Sequence, residues 1–361
     1  MQLRESKPEQ RRESIHGPFL ERYAERVNPL LRVDENGLWC EAGGFYIDPW
    51  NPVSKALITH GHSDHARPGS AKYVCAESSR RILARRLGAE TVIETLPYGQ
   101  RISIEGVAVS FHPAGHVLGS AQIRVEHKGE IWVVSGDYKL SPDPTCAPFE
   151  PVRCHTFVTE STFGLPIYRW APSSAVFSSI NDWWRSNREH GLCSMLFAYP
   201  LGKSQRLLAG LDPEIGPIYC HGAIEGMNQV YRDSGVSLPP TTHTGAAEPA
   251  VDWSTAMVIA PQSAQESSWI RRFGPVSTGM ASGWMRIRGR RRHRPMDRGF
   301  VLSDHADWPE LQQAITETGA ECVLVTHGYR SPMVRWLEEQ GKQARALETR
   351  FEGELTEEEP A

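Results

Sequence analysis

An α/β fold interrupted by a long insertion is predicted from this 361-residue sequence. Three observations carry that expectation. Short β-prone runs end repeatedly in His, Asp or Glu, which places reactive side chains in loops at strand ends. From about residue 170 the texture turns to helical periodicity. Strands ending in histidine then return after residue 298.

Composition bounds the reading. Hydrophobic residues make up 40% and charged residues 23%, as in an ordinary soluble globular protein. The length accommodates two domains, or one with a large insertion. Formal net charge is −4 and pI about 6.4, so any surface for a polyanion has to be local. The seven cysteines are scattered, odd in number and never in a C-x-x-C pair. That pattern argues against a disulfide framework and against thiolate zinc sites. Met1 to Arg12 is too polar for a signal peptide, and no apolar run is long enough to span a bilayer. The expectation is a cytoplasmic protein with no membrane partner.

The elements follow in order. Residues 1–27 are highly charged and expected to form a helix or a mobile arm. Phe45-Tyr46-Ile47-Asp48 reads as a strand closing on a carboxylate, and Lys55 to Thr59 as the next. Ser78 to Leu87 has helical character. Val107–Phe111, Gln122–Val125 and Ile131–Val134 are strand-like, and Phe157-Val158-Thr159-Glu160 is another strand ending in an acid. Val176, Phe177, Ile180, Trp183 and Trp184 then fall at helical spacing, which favours burial over base stacking. Leu196–Tyr199 looks like a strand, and Gly202-Lys203-Ser204 opens a helix to Leu211. Residues 232–252 read as loop. Phe300-Val301-Leu302 runs into Ser303-Asp304-His305, and Cys322–Thr326 into His327-Gly328. The expected division is an arm at 1–27, a first metal-domain part at 28–168, an insertion at 169–297, a completing part at 298–350, and an acidic disordered tail at 351–361.

Chemistry concentrates in Thr59-His60-Gly61-His62-Ser63-Asp64-His65, directly after the apolar Ala56-Leu57-Ile58. A lone core histidine is commonplace. Three imidazoles and a carboxylate at this spacing have few structural uses and fit ligation of two neighbouring metal ions. Nitrogen and oxygen donors suit zinc and also admit manganese. His116, in the glycine-bearing Pro113–Ser120, and Asp137, after Ile131–Gly136, are the next strand-end candidates. One carboxylate at Asp137 could bridge two ions. Paired ions are a recurrent device for hydrolysing phosphodiesters and acyl bonds, so a metallohydrolase is the expectation.

The order of these motifs resembles the metallo-β-lactamase fold, an αββα sandwich. Glu160 in Thr159-Glu160-Ser161-Thr162, His305 in Ser303-Asp304-His305-Ala306-Asp307 and His327 in Thr326-His327-Gly328 look like the three further motifs of the β-CASP nucleases, which carry an inserted cap. The wording around Tyr46-Ile47-Asp48-Pro49-Trp50 and Ala281-Ser282-Gly283-Trp284-Met285 is similar to the bacterial ligase-associated DNA exonucleases. The resemblance implies two divalent ions, Zn²⁺ or Mn²⁺. His60, His62 and His116 would hold one, Asp137 would bridge, and Asp64, His65 and His327 would hold the other. Asp48 would orient the histidine loop. A metal-activated hydroxide would attack phosphorus, with Asp64 and Asp137 essential to it. His305 would protonate the leaving oxygen, oriented by Glu160. The implied activity is exonucleolytic cleavage of DNA in repair, on single strands or DNA ends, beside a DNA ligase and helicase of the same pathway. His327 is a feature shared with the RNA-processing branch, so a ribonuclease stands as the alternative. A small-ester or thioester hydrolase of the same fold stands behind it.

The densest positive charge is Arg286, Arg288, Arg290, Arg291, Arg292, His293, Arg294 and Arg298. Arginine clusters bind phosphates through charge and forked donors, independent of base sequence. In an otherwise acidic chain, substrate contact is favoured over a merely solvated loop. Gly202-Lys203-Ser204 lacks the first glycine of a P-loop, since Phe197 stands there. Lys203 and Ser204 at a helix start remain candidates for a substrate phosphate. For His112, Tyr199 and His221, ordinary packing is favoured.

Overall fold

Alternation along the strands decides the layers. In the computed structural model, which describes residues 29–287 and 296–351, the first sheet has six strands. They are β1 (Arg32–Val33), β2 (Leu38–Cys40), β3 (Phe45–Ile47), β4 (Ala56–Leu57), β5 (Tyr73–Ala76) and β6 (Ile93–Leu96), paired in chain order. The β1–β2 and β2–β3 pairs are antiparallel; β3 to β6 run parallel. Along β5, Val74 and Ala76 face one core, while Tyr73 and Cys75 face another beside Leu83 of helix α1 (Arg80–Leu87). Period-two alternation thus gives this sheet two covered faces.

The second sheet begins with an antiparallel meander of β7 (Ile102–Ile104), β8 (Val107–Pro113), β9 (Ala121–His127) and β10 (Glu130–Val134). It continues in parallel through β11 (Thr156–Ser161), then β18 (Cys322–Gly328) and β19 (Gln343–Ala346), which arrive from the far end of the chain. Phe111, Ile123, Val125 and Val134 meet Phe45, Ile47 and Leu57 of the first sheet in one shared core. On the reverse face Val133, Phe157, Val323 and Val325 pack on Trp308, Leu311 and Ile315 of α5 (Trp308–Thr318) and on Met333 and Leu337 of α6 (Arg330–Glu339). The layers are helix, sheet, sheet, helix.

Between β11 and β18 lies a third, all-parallel sheet in the order β14-β13-β15-β12-β16-β17. Its strands are β12 (Cys193–Phe197), β13 (Ile218–Cys220), β14 (Thr242–His243), β15 (Met257–Ala260), β16 (Val276–Ala281) and β17 (Arg298–Phe300). Helices α2 (Ser173–Glu189), α3 (Lys203–Gly210) and α4 (Gly222–Asp233) connect them. Val176, Ile180, Trp183 and Trp184 pack beneath Leu196 and Ile259, the buried role expected of that spacing. Strand β17 pairs with β16, so the third sheet extends to residue 300, past the expected boundary at 297. The expected tail also differs at its first residue: Phe351 is half-buried, stacked against His65. The 1–27 arm and residues 352–361 lie outside the described residues.

Candidate metal centre

Strand ends deliver the reactive groups to one place. Asp48 follows β3, the 59–65 loop follows β4, His116 lies between β8 and β9, Asp137 follows β10, Glu160 is in β11 and His327 in β18. Asp304 and His305 lie between β17 and α5. Two glycines permit the approach. Gly136 has φ 57°, and a Cβ there would lie 2.6 Å from the Thr59 side chain; at Gly115, φ 75°, it would lie 2.1 Å from the Lys139 carbonyl. Asp48 adopts φ 43°, a left-handed conformation that Asp tolerates. From there its carboxylate accepts from the Thr59 amide (2.8 Å), the Thr59 hydroxyl (2.5 Å) and His65 Nδ1 (2.8 Å). Asp48 therefore pins the histidine loop at both ends.

The hydrogen bonds fix the tautomers. Thr59 gives its proton to Asp48, so His60 Nδ1 donates to the Thr59 oxygen at 3.1 Å. His116 Nδ1 donates to the Asp304 carbonyl at 2.9 Å, and Thr326 Oγ1 lies 2.9 Å from His327 Nδ1. Each ring is left with an Nε2 lone pair. His62 is reversed: its Nε2 donates to the Leu201 carbonyl at 3.3 Å, which leaves Nδ1 as the acceptor. His62 Nδ1 and His116 Nε2 then face each other at 3.1 Å. Two lone pairs at that distance repel unless a cation lies between them.

Asp137 is the hub. Its carboxylate lies 3.0 Å from His327 Nε2, 3.5 Å from His60 Nε2, 3.7 Å from His65 Nε2, 3.9 Å from His116 Nε2 and 3.9 Å from His305 Nδ1. His65 Nε2 is also 3.5 Å from Asp64. Every one of these residues is at least nine-tenths buried. Burial holds His60, His62 and His116 below the ordinary imidazole value, His62 at about 3, so these rings are neutral. Burial also pulls His65 down, but the Asp64, Asp137 and Asp48 carboxylates outweigh it and raise the ring to about 10. The Asp137 carboxyl, raised by burial, is held well below its usual range by His327, His65 and His305. The carboxylates thus call for positive charge here, which a proton on His65 or a metal ion displacing it would supply.

The donor set fits divalent ions. His60, His62, His116 and Asp137 present ligand atoms within 4.8 Å of one another. Atoms each about 2.1 Å from a shared ion lie roughly 3–4 Å apart. Nε2 of His60 and His65 is buried without a hydrogen-bond partner among the described residues, an arrangement that otherwise costs stability.

Beside this group stands a proton-carrying pair. His305 Nδ1 donates to Glu160 at 3.0 and 3.2 Å, and Glu160 also accepts from the Tyr138 amide at 2.8 Å. Burial lowers the His305 value, but Glu160 and Asp137 outweigh it and lift the ring to about 9. Its backbone is held by Ser303 Oγ at one end and Trp170 Nε1 at the other.

Lys203 and Ser204 require a correction. Both are fully buried. Lys203 Nζ lies 3.0 Å from Asp304 Oδ1 and over the Tyr199 ring, while Ser204 Oγ donates to the Tyr199 carbonyl. Both side chains are engaged by protein groups, Lys203 by Asp304 and Ser204 by the Tyr199 carbonyl. They join α3 to the His305 loop instead. His112 and His221 serve as packing: His112 lies between Ser110 and Glu150, and His221 caps α4. Arg286 is exposed, with Nε donating to the Ile167 carbonyl, and Arg298 is exposed. Arg288, Arg290, Arg291, Arg292 and Arg294 lie outside the described residues. Sequence reasoning missed Asp304 and Thr59. Their signal was position, each directly preceding a site histidine.

Fold and site define an α/β protein with a buried His/Asp/Glu centre. No family model matches the chain. It is 30% identical over 318 residues to a probable DNA ligase of Opitutus terrae, covering 86% of this chain and 30% of the ligase. It is 31% identical over 124 residues to cleavage and polyadenylation specificity factor subunit 3 of Dictyostelium discoideum, 33% of this chain and 16% of that one. To endoribonuclease YSH1 of Saccharomyces cerevisiae it is 28% identical over 122 residues, 33% and 15% of the two chains. The chain therefore spans less than a third of the length of each of these relatives. A crystal structure of a protein of unknown function from Enterococcus faecalis shares the fold, with TM-score 0.56 and 11% identity over 82% of this chain and 80% of that one. With the motif order in the sequence, these matches support the resemblance to the β-CASP metallo-β-lactamase nucleases.

Proposed function

We propose that the chain is a metal-dependent phosphodiesterase that degrades DNA from an end, in repair. In this reading residues 28–168 and 301–350 form the metallo-β-lactamase part and 169–300, which includes β17, the cap. His60, His62 and His116 hold one ion, Asp64, His65 and His327 the other, and Asp137 both. The observation that carries the reading is the convergence of four imidazoles, His60, His65, His116 and His327, on Asp137, with the His305–Glu160 pair beside them. Zinc or manganese bound there supplies Lewis acidity toward phosphate oxygens and a nucleophile at neutral pH. His305, charged through Glu160, gives a proton to the departing oxygen. Asp48 keeps the His65 ring oriented. The arginine-rich stretch around Arg286 to Arg298 tracks substrate phosphates.

DNA is favoured because a relative aligned over 86% of this chain is named a probable DNA ligase. RNA cleavage is the second reading, favoured by the endoribonuclease names of relatives matching about a third of the chain. Digestion of end-labelled single-stranded DNA and RNA of matched sequence, with zinc or manganese, separates the two. Stepwise loss from a DNA end, absent in Asp64→Ala, is the expected result. Cleavage of RNA alone would move the assignment to the second reading.

A further inference from the structure

His65 is gripped in an unusual way. Its Nδ1 is held by Asp48 at 2.8 Å, but one hydrogen bond fixes an atom and leaves the ring plane free to tilt about it. On one face lies His60, with centroids 4.1 Å apart and planes inclined by 42°. On the other, Phe351 stacks at 4.4 Å with planes only 10° apart. Phe351 also meets His327 edge-on at 5.9 Å and Trp50 at 6.2 Å. Its own segment is tied down by Arg350 over the Trp50 ring and by Arg67 donating to the Arg350 carbonyl. Under this cover His65 is 1% exposed. A residue 286 positions further along the chain (351 − 65) thus closes the outer face of the ring.

We propose that Phe351 is a positioning residue for the ion held by Asp64, His65 and His327. Stacked on His65, it fixes the plane in which Nε2 points at that ion and keeps water from that side of the ligand. The inference rests on the ligand set of the preceding section. Phe351 does not touch His62 or His116 in any ring contact among the described residues, so its effect falls on one ion of the two.

The test uses the full chain loaded with zinc. Metal content is measured by mass spectrometry and release by chelator competition, with the visible spectrum of the cobalt-loaded protein as a second readout. Phe351→Ala should release one of two ions about tenfold faster or more, the usual scale for losing a group that orients a ligand. The other ion should keep its wild-type rate. Phe351→Trp, which restores a flat face, should recover slow release and the wild-type cobalt spectrum; Phe351→Leu, which restores bulk alone, should not. Unchanged release and spectrum in Phe351→Ala would overturn the proposal, as would equal acceleration of both ions. A wild type holding fewer than two ions, or an Asp137→Asn variant holding both, would instead sink the ligand set itself.

Discussion

Glu160 accepts from the Tyr138 backbone amide and from His305, so its carboxylate is held in place against the ring. Because its carboxylate raises His305 to about 9, the ring is charged at neutral pH and loses its proton as pH rises through that value. Activity that needs the charged ring should therefore fall on the alkaline side. Glu160→Gln removes the raising influence, so this limb of the pH–rate profile should move to lower pH. An unmoved limb would remove His305 from the role of acid. His305→Ala should lower kcat by about 10²–10⁴ with metal content unchanged. The cysteines offer a contrasting case: burial pushes the Cys75, Cys154 and Cys193 thiols up to about 12. Only the thiolate reacts, so these three should resist alkylation at pH 8 in the native protein and react after unfolding. Peptide mapping after labelling would decide it.

At the scale of elements, α5 sets the His305 loop. Asp307 caps the helix by accepting from the Glu310 amide at 3.0 Å, and its second oxygen accepts from the Trp170 amide at 2.7 Å. Glu310 returns to the Asp307 amide and also accepts from the Ser141 amide, joining α5 to the segment after Asp137. Asp307→Ala should cost about 1–2 kcal/mol in denaturant unfolding. It should also lower activity, because its loop carries His305; full activity with lowered stability would show that cap and site are independent. The elements differed in how legible they were. Strands such as β3 alternate locally, β11 and β18 announce themselves by the acid or histidine at their ends, and the histidine spacing is local too. Strand β15 escaped because a parallel strand buried on both faces is a short apolar run without alternation, β13 because it is three residues long, and β16 because Ser277, Thr278 and Gly279 break its apolar character. Lys203 misled for another reason: its partner Asp304 lies 101 positions away (304 − 203) and nothing near Lys203 announces it.

For the whole molecule, ions that bind only the folded chain stabilise it by mass action, about 2.7 kcal/mol at a free concentration one hundred times Kd. Thermal unfolding should shift down on chelation and recover on adding zinc or manganese, while Asp137→Asn should unfold at one temperature under all three conditions. A midpoint in the wild type indifferent to chelator would contradict the centre. Its groups come from positions 48 to 327, joined by the parallel pairing of β11 with β18. That pairing has a consequence during synthesis. A chain still emerging from the ribosome holds His60, His62, His116 and Asp137 long before His327 exists, and β11 waits with one edge bare. Contacts so distant in sequence form slowly. The centre is thus incomplete until β18 has been made and paired with β11, so a shorter nascent chain holds the first histidines without His327 beside Asp137.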